Sequence, residues 1–326
     1  MKNGKIIAAA AFFAGVFFAL GAPARAAKSS SAQFLSLGFG ARALGMGEAF
    51  VAVADDASSI YYNPAGLAGV KPEAEDQGPG EKKSSEFLIS HSWHIQDTGL
   101  TQLAYDRNST GFSLTYFSAG SLEGRDDMGN IKPDFTADDF AFSGGYALKT
   151  GRLSAGAAIK AVHQRIAGSA ASAFCADAGA LYGLKTLPLT LGLSVSNIGT
   201  KVKFESESFP LPVVYRAGLA LRTSAHFPAI LSAEMDFPND SPALFRTGVE
   251  YTGFKLIAFR AGYRTTPGSQ HSAILGKGFG DPSALSEMYG FFMGIGFVLN
   301  QISIDYALLP YGELGSAHRF SLGMKF

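Results

Sequence analysis

Apolar and polar residues alternate along most of the chain from residue 87 onward. In the last segment Phe320, Leu322 and Met324 occupy every second position, with polar or small residues between them. A period of two is the side-chain period of a β-strand, whose successive side chains point to opposite faces. About fourteen such segments follow one another, which predicts an all-β fold. The segments begin near residues 87, 99, 111, 140, 153, 173, 189, 213, 229, 244, 256, 289, 302 and 318.

The length of these segments favours a transmembrane β-barrel. Many of them run about nine to thirteen residues, which a tilted membrane strand requires. An even number with short turns suits a closed antiparallel barrel of about fourteen strands. The number is uncertain by about two, because residues 199–207 fit either a strand extension or an additional short strand. The alternative, a large periplasmic β-sandwich, explains the strand lengths and the aromatic residues near strand ends less well.

The polar face of the strands carries charges of both signs. An arginine at mid-depth in hydrocarbon costs about 2–4 kcal/mol, so this face is predicted to line the lumen and to form cross-strand ion pairs. Glycines on the same face give these side chains room. The predicted lumen charges are Arg216, Arg222, Glu234, Asp236, Arg246, Glu250, Arg260, Arg264, Asp305 and Arg319.

The first 26 residues have the pattern of a secretory signal peptide. Lys2 and Lys5 precede an apolar run of about fifteen residues, too short to span a bilayer as a helix, and Ala24-Arg25-Ala26 is an A-x-A cleavage site. An uncleaved anchor is the alternative. No later window is continuously apolar over about nineteen residues, so transmembrane helices are excluded and the exported protein is periplasmic, secreted or a membrane barrel. The barrel pattern favours the bacterial outer membrane as the location. At the other end, Phe326 resembles the aromatic signal that the barrel assembly machinery recognises.

Composition narrows the class further. The 27 basic and 27 acidic residues balance, so no nucleic-acid partner is indicated. Charged residues are only 17% of the chain, which favours a protein with one large surface that does not face water. In the predicted barrel this surface contacts outer-membrane lipid. The single Cys175 excludes an internal disulfide and a multi-cysteine metal site. We interpret it as a buried small residue.

Residues 27–85 lack the alternation of the barrel region, residues 86–326. They contain a Gly/Ala-rich stretch and then a polar, loop-like one from residue 71 to 83. In the first stretch the distinctive pieces are Gly45-Met46-Gly47, Asp55-Asp56-Ala57 and Asn63-Pro64-Ala65-Gly66-Leu67. Their order and spacing resemble the N-terminal signature of the PorV/PorQ family of outer-membrane proteins. More distantly they resemble the plug of the FadL long-chain fatty-acid transporters. Both resemblances imply a fourteen-stranded barrel.

The motif has the physical properties of a plug that fills the lumen. Leu44, Met46 and Val51 supply apolar bulk, and Asn63-Pro64 is a turn-forming pair. Asp55 and Asp56 are interpreted as a helix N-cap. Both aspartates and Asn63 are also candidate partners for lumen arginines or for plug amides. They are either purely structural or part of an element that moves to open a path.

We expect no enzymatic activity, no metal site and no cofactor. His91 and His94 lie three apart on a predicted strand and therefore on opposite faces. Neither a G-x-S-x-G nor an H-E-x-x-H motif is present. The Gly-x-Gly pieces follow no strand-to-helix pattern.

Three functions remain open. The family resemblance implies a non-catalytic component of protein secretion that recognises secreted proteins. The FadL resemblance implies a passive channel for hydrophobic small molecules, with Phe112, Phe117, Phe135 and the loop of residues 120–139 as candidate entrance. The third is a structural outer-membrane protein with a closed barrel.

Overall fold

The computed structural model describes residues 29–69, 85–93, 98–223, 227–265, 289–311 and 315–326. The predicted signal peptide and the polar stretch of residues 71–83 lie outside these ranges.

Fourteen antiparallel strands of the described chain close into one barrel. The first and last strands close it, with Glu86 opposite Lys325 and Trp93 opposite His318. The predicted fold class is therefore confirmed, at the predicted strand number. The barrel strands are β1 Glu86–Trp93, β2 Gly99–Arg107, β3 Thr110–Arg125, β4 Ile131–Thr150, β5 Leu153–Ile166, β6 Ser169–Gly183, β7 Leu189–Gly199, β10 Val214–Arg222, β11 Ala229–Pro238, β12 Leu244–Tyr251, β13 Ile257–Arg264, β14 Phe291–Leu299, β15 Ile302–Pro310 and β16 Ser316–Lys325.

Two features differ from the expected strand pattern. The segment after β7 forms neither an extension nor one strand but a small hairpin, β8 Val202–Phe204 and β9 Glu207–Phe209. The expected entrance loop of residues 120–139 is largely strand, because β3 and β4 continue beyond the barrel as a paired ribbon. Only residues 126–130 form its turn, which Asp126 holds by accepting hydrogen bonds from the Met128 and Asn130 amides.

The outer surface of the barrel is apolar. Ile159, Phe174 and Leu193 are among many large apolar side chains exposed by 60% or more on this surface. Such a continuous apolar surface is stable only against hydrocarbon, because soluble proteins rarely expose patches of more than a few hundred Å². None of the helices in the described residues has the length and apolar character needed to cross a membrane.

The two ends of the barrel differ in the length of their connections. At the end that contains Glu86 and Lys325, three of the six connections between the described strands are two-residue turns and none is longer than six residues. In one of them Asn108 and Ser109 both have positive φ, 50° and 67°, as a two-residue hairpin turn requires. The two longest connections between these strands, residues 200–213 and 265–290, are at the opposite end. Outer-membrane barrels have short periplasmic turns and longer extracellular loops, so the short-turn end faces the periplasm.

Residues 29–69, the plug segment, lie inside the barrel. The segment contains two short α-helices, α1 Ala41–Gly45 and α2 Ser59–Tyr62, and two 3₁₀ turns, Gln33–Ser36 and Pro64–Ala68. Its apolar side chains form the core of the molecule. Phe39, Leu44, Met46, Phe50, Val51 and Leu67 are all completely buried. The core thus consists of plug residues enclosed by the inner wall.

Candidate functional site in the barrel lumen

Arg42 of α1 forms ion pairs with other residues of the plug segment and with the barrel wall. Its guanidinium lies 2.6 Å from Asp55 and 2.9 Å from Asp56, both in the plug segment. It also binds Glu250 of β12 through two parallel hydrogen bonds of 2.8 Å. Two parallel bonds to one carboxylate combine strength with a fixed orientation. They tie α1 to β12, while the helix itself packs against β14 and β15.

The ion pairs continue along the wall on both sides of Arg42. Arg260 of β13 lies 2.6 Å from Glu250 and 2.7 Å from Asp305 of β15. Arg222 of β10 binds Asp55 at 2.9 Å. The resulting cluster, defined here as the Arg42 cluster, joins four strands of the wall to the plug segment. Every charge in it has an opposite charge within hydrogen-bonding distance, which buried ions require.

A second cluster is centred on Glu48, on the side of the longer loops. Its carboxylate lies 2.6 Å from Arg246 and 3.5 Å from Arg264. Arg246 also binds Asp236 at 2.8 Å. Glu48 has φ 62°, an unfavourable conformation for a residue with a side chain, and these ion pairs hold it there.

Two further wall residues bind the backbone of the plug segment. Glu234 accepts a hydrogen bond of 2.7 Å from the Val51 amide. Arg319 donates to the carbonyl of Gly38 at 3.0 Å and to the side chain of Gln102 at 2.9 Å. Arg216, the remaining predicted lumen charge, lies 3.8 Å from Glu234 and donates to Ser196 at 2.9 Å. All ten predicted lumen charges therefore lie on the inner face, where nine are buried and Arg264 is partly exposed.

Glycines of the inner wall let the plug backbone approach closely. A Cβ atom at Gly262 would overlap Met46 and Gly47, and one at Gly248 would overlap the Met46 carbonyl. Gly248 and Gly262 face each other across β12 and β13. The other wall glycines that contact the plug segment in this way are Gly111, Gly156, Gly179, Gly192, Gly218 and Gly294. The glycines thus do more than give room to lumen side chains, because they form the seat of the plug.

The Gly45-Met46-Gly47 motif contains the last residue of α1 and the turn that follows it and rests on this seat. Gly47 has φ 65°, which only glycine adopts without strain, and its neighbours leave no space for a side chain. Met46 is completely buried. The motif therefore combines a tight turn with close contact between two backbones.

Asn63 is the hydrogen-bonding centre of the second motif. Its side-chain amide donates to the carbonyls of Val51 and Ala180, and its side-chain oxygen accepts from the Ala65 amide. Pro64 follows at the first position of a 3₁₀ turn, where no backbone donor is needed. Asn63 thereby joins two parts of the plug segment to β6.

The expected N-cap role of Asp55 and Asp56 is wrong. The helix that follows, α2, has only four residues, and its N-cap is Ser58. Asp56 instead accepts from the Ser58 amide, and Asp55 binds Arg42 and Arg222. Burial acts to raise the pKa of Asp55, but the two arginines outweigh it and hold this pKa well below its usual range. Burial raises the pKa of Tyr61 to about 12, so its hydroxyl stays neutral and donates to the Leu35 carbonyl.

The other singled-out residues lie away from the lumen clusters. Phe326 is 58% exposed on the outer surface, stacked on Tyr105, and its backbone pairs with Ser85. Cys175 is buried. His91 contacts Thr101, while His94 lies outside the described residues. The described residues contain no group of three or more His, Cys, Asp or Glu side chains suited to a metal ion.

Arg42, Glu48 and Gln102 are central residues that the sequence analysis missed. Arg42 and Glu48 are single polar residues without periodic context, whereas Gln102 is an inward-facing residue of the predicted β2 segment. Arg42 and Glu48 do lie inside the motif-bearing stretch, flanked by apolar positions that proved to be buried. An isolated charge within an apolar, non-periodic segment was the available signal, because such a charge must find a partner when the segment is buried.

Comparisons with known proteins agree with this architecture. The family model described as "Type IX secretion system protein PorV" matches residues 22–220, more than half of the chain. No curated protein matches. The solved structure of the "CymD monoaromatic hydrocarbon channel" is similar at a TM-score of 0.52 and 13% identity, covering 89% of this chain and 98% of that one. That of "a Pseudomonas aeruginosa FadL homologue" has a TM-score of 0.49 at 12% identity, covering 88% and 98%. At these identities the likeness to CymD concerns the fold alone.

Proposed function

Because the chain belongs to the family of the type IX secretion system protein PorV, we propose that it recognises proteins exported across the bacterial outer membrane. It is a barrel protein of that membrane. In this function the barrel is a non-catalytic binding partner. The observation that carries the proposal is the family match over the plug segment and the first half of the barrel. The plug segment fills the lumen, which supports the proposal because a protein partner that is recognised at the outer face does not have to pass through the barrel.

The ribbon formed by the ends of β3 and β4 is the proposed contact for exported proteins. β2 pairs with β3 only as far as Ser118, and β5 pairs with β4 only from Ala137 onward. The intervening ribbon therefore projects beyond the rim on the side of the longer loops. Its tip exposes Met128 by 89% and Ile131 by 73%. Exposed apolar residues on a projecting element favour contact with a protein partner.

Site-specific cross-linking in the producing cell tests this proposal. A Met128→Cys variant carries its reactive thiol on the ribbon tip, since the native Cys175 is buried. Exposed to a bifunctional maleimide reagent, it should form cross-links to exported proteins that mass spectrometry identifies. Lys185→Cys is the matched control, because Lys185 is exposed in a turn at the opposite end.

Equal cross-linking from both positions, or none from position 128, would contradict the proposed contact. Uptake of aromatic or aliphatic hydrocarbons into liposomes that contain the protein would instead support the alternative function, a passive channel for hydrophobic small molecules. The barrel assembly machinery is a further proposed partner, through Phe326 at the end of β16. Deleting Phe326 should then slow insertion into the outer membrane without changing the cross-links of the inserted protein.

A further inference from the structure

A cavity of about 300 Å³ lies between the plug segment and the wall at the periplasmic end of the barrel. Glu86 of β1 and Lys325 of β16 lie on one side of it, and the β14–β15 turn residues Asn300 and Gln301 lie on another. Arg42 and Asp56 of the plug segment line its inner part. The cavity is separate from the ribbon, which projects from the opposite end.

The charges that line the cavity do not balance. Five acidic side chains face three basic ones, namely Asp55, Asp56, Glu86, Glu250 and Asp305 against Arg42, Arg260 and Lys325. Within the Arg42 cluster Arg42, Arg222 and Arg260 are paired with four of these carboxylates. Glu86 is the remaining acid, and Lys325, exposed and opposite Glu86 on β16, is the remaining base of the lining. Glu86 is only 6% exposed, and in the described part of the chain its backbone N–H binds Asp106 while no hydrogen bond or ion pair within 4 Å joins its carboxylate to Lys325 or to another residue.

The orientation of Glu86 directs this carboxylate into the cavity. Glu86 is in phase with Leu88 and Ser90, whose side chains face inward, and its Oε1 lies over Gly323 of β16, another inner-face position. A carboxylate in this position loses much of its hydration, which disfavours its charged form unless a cation lies beside it. A cation bound in the cavity would stabilise that charged form.

The remaining lining indicates which cation fits. Leu88, Ala258, Val298 and Ile302 supply an apolar wall beside the carboxylate. A divalent metal ion needs several oxygen ligands, whereas only one carboxylate here is uncommitted. An alkylammonium group matches both features, because its stem packs on apolar surface while its charged end meets an acid. We propose that this cavity binds a primary alkylammonium group from the periplasm. This ligand goes beyond the proposed recognition of exported proteins at the outer face.

Isothermal titration of the full chain in detergent micelles tests the proposal on the unaltered protein. The probe is n-butylammonium chloride, and the matched control is 1-butanol, which has the same stem without the charge. We expect saturable binding of the ammonium at least about tenfold tighter than that of the alcohol, as a charge-assisted hydrogen bond provides. Equal binding of both compounds, or none of either, overturns the proposal.

A pair of variants identifies the carboxylate. Glu86→Gln should weaken n-butylammonium binding about tenfold or more. Glu207→Gln, which removes an exposed carboxylate of β9 at the other end, should leave it unchanged. Equal effects of both substitutions overturn the assignment to this cavity.

Two further measurements identify the source of the ammonium group. Nα-acetyl-lysine methylamide presents the same group on a peptide, so tighter binding than n-butylammonium indicates a lysine of a partner chain, and weaker binding indicates a free amine. Both results support the site. The chain itself has Lys82 and Lys83 shortly before β1. Binding observed only after Lys82→Ala and Lys83→Ala would overturn the proposal, since the chain would then supply its own ammonium.

Discussion

At the scale of single residues, the lumen arginines differ in how many partners each one holds. Arg42 contacts three carboxylates, while Arg125 on the outer ribbon pairs with Glu123 in solvent, where both side chains are more than half exposed. Burial strengthens each contact and also makes the loss of one partner costly. Residues that look alike in the sequence therefore contribute very differently to stability.

Replacing Arg42 should destabilise the protein strongly. Arg42→Ala leaves Asp55, Asp56 and Glu250 buried with fewer partners, so we expect the free energy of unfolding to fall by about 3 kcal/mol or more. Urea unfolding in lipid vesicles, followed by the fluorescence of Trp93, measures this. Arg125→Ala is the control and should change stability by no more than about 0.5 kcal/mol. Equal losses of stability in the two variants would show that Arg42 is not the main contact between the plug segment and the wall.

The low pKa of Asp55 predicts a loss of stability in acid. A group whose pKa is lower in the folded state binds fewer protons there than in the unfolded chain. Its contribution is therefore complete above the unfolded pKa of about 3.9 and declines as pH falls below it. Wild-type unfolding free energy should decrease from pH 5 to pH 3, and Asp55→Asn should remove part of that dependence. Identical pH profiles would refute this role.

At the scale of elements, direct contact between the plug backbone and the backbone of the wall strands holds the plug segment against the wall. The turn at Gly47 rests on Gly262 and Gly248, where any side chain would overlap plug atoms. Substituting Gly262 by Val should therefore displace the plug segment and expose it to protease added to purified protein. Gly144→Ala is the control, because Gly144 faces outward and a Cβ there meets nothing closer than 3.5 Å. Full protease protection of the Gly262 variant would exclude the proposed seat.

Two hairpins outside the barrel wall should differ in their effect on stability. The β8–β9 hairpin packs Val202, completely buried, against the plug cluster around Phe34. Within the described chain the outer part of the β3–β4 ribbon pairs only with itself. Replacing residues 121–136 by Asn-Gly should leave the melting temperature unchanged, whereas replacing residues 202–209 should lower it. Differential scanning calorimetry checks both, and the reverse order would contradict this description.

At the scale of the whole molecule, the plug segment extends through the lumen from one end to the other. Ser31 binds the Pro210 carbonyl at the long-loop end, and Lys149 at the short-turn end binds the Gly69 carbonyl. Between these points its core is fully buried. In planar bilayers the full chain should therefore conduct ions at background level, and deletion of residues 29–69 should produce a pore. Equal conductance of both proteins would mean that the lumen is open.

The strands, their order and the orientation of both faces followed from the sequence, because a period of two is a local property that each segment shows independently. Nearly every predicted strand start lay within a few residues of the observed one. The start of β4 at Ile131 was missed, since the ribbon beyond the barrel has no apolar face and so loses the alternation. The motif that predicted a plug was likewise readable, as the order and spacing of short pieces.

Only the tertiary structure decided which charges meet. Arg42 and Glu250 are 208 residues apart in the chain, and the wall glycines that seat the plug segment come from eight different strands. Such contacts depend on how the barrel closes and how deep the plug segment lies, which no local pattern encodes. For the same reason Glu86 resembles any other charged residue at a strand end until its surroundings are known. Its burial beside a net acidic cavity is a property of the closed barrel.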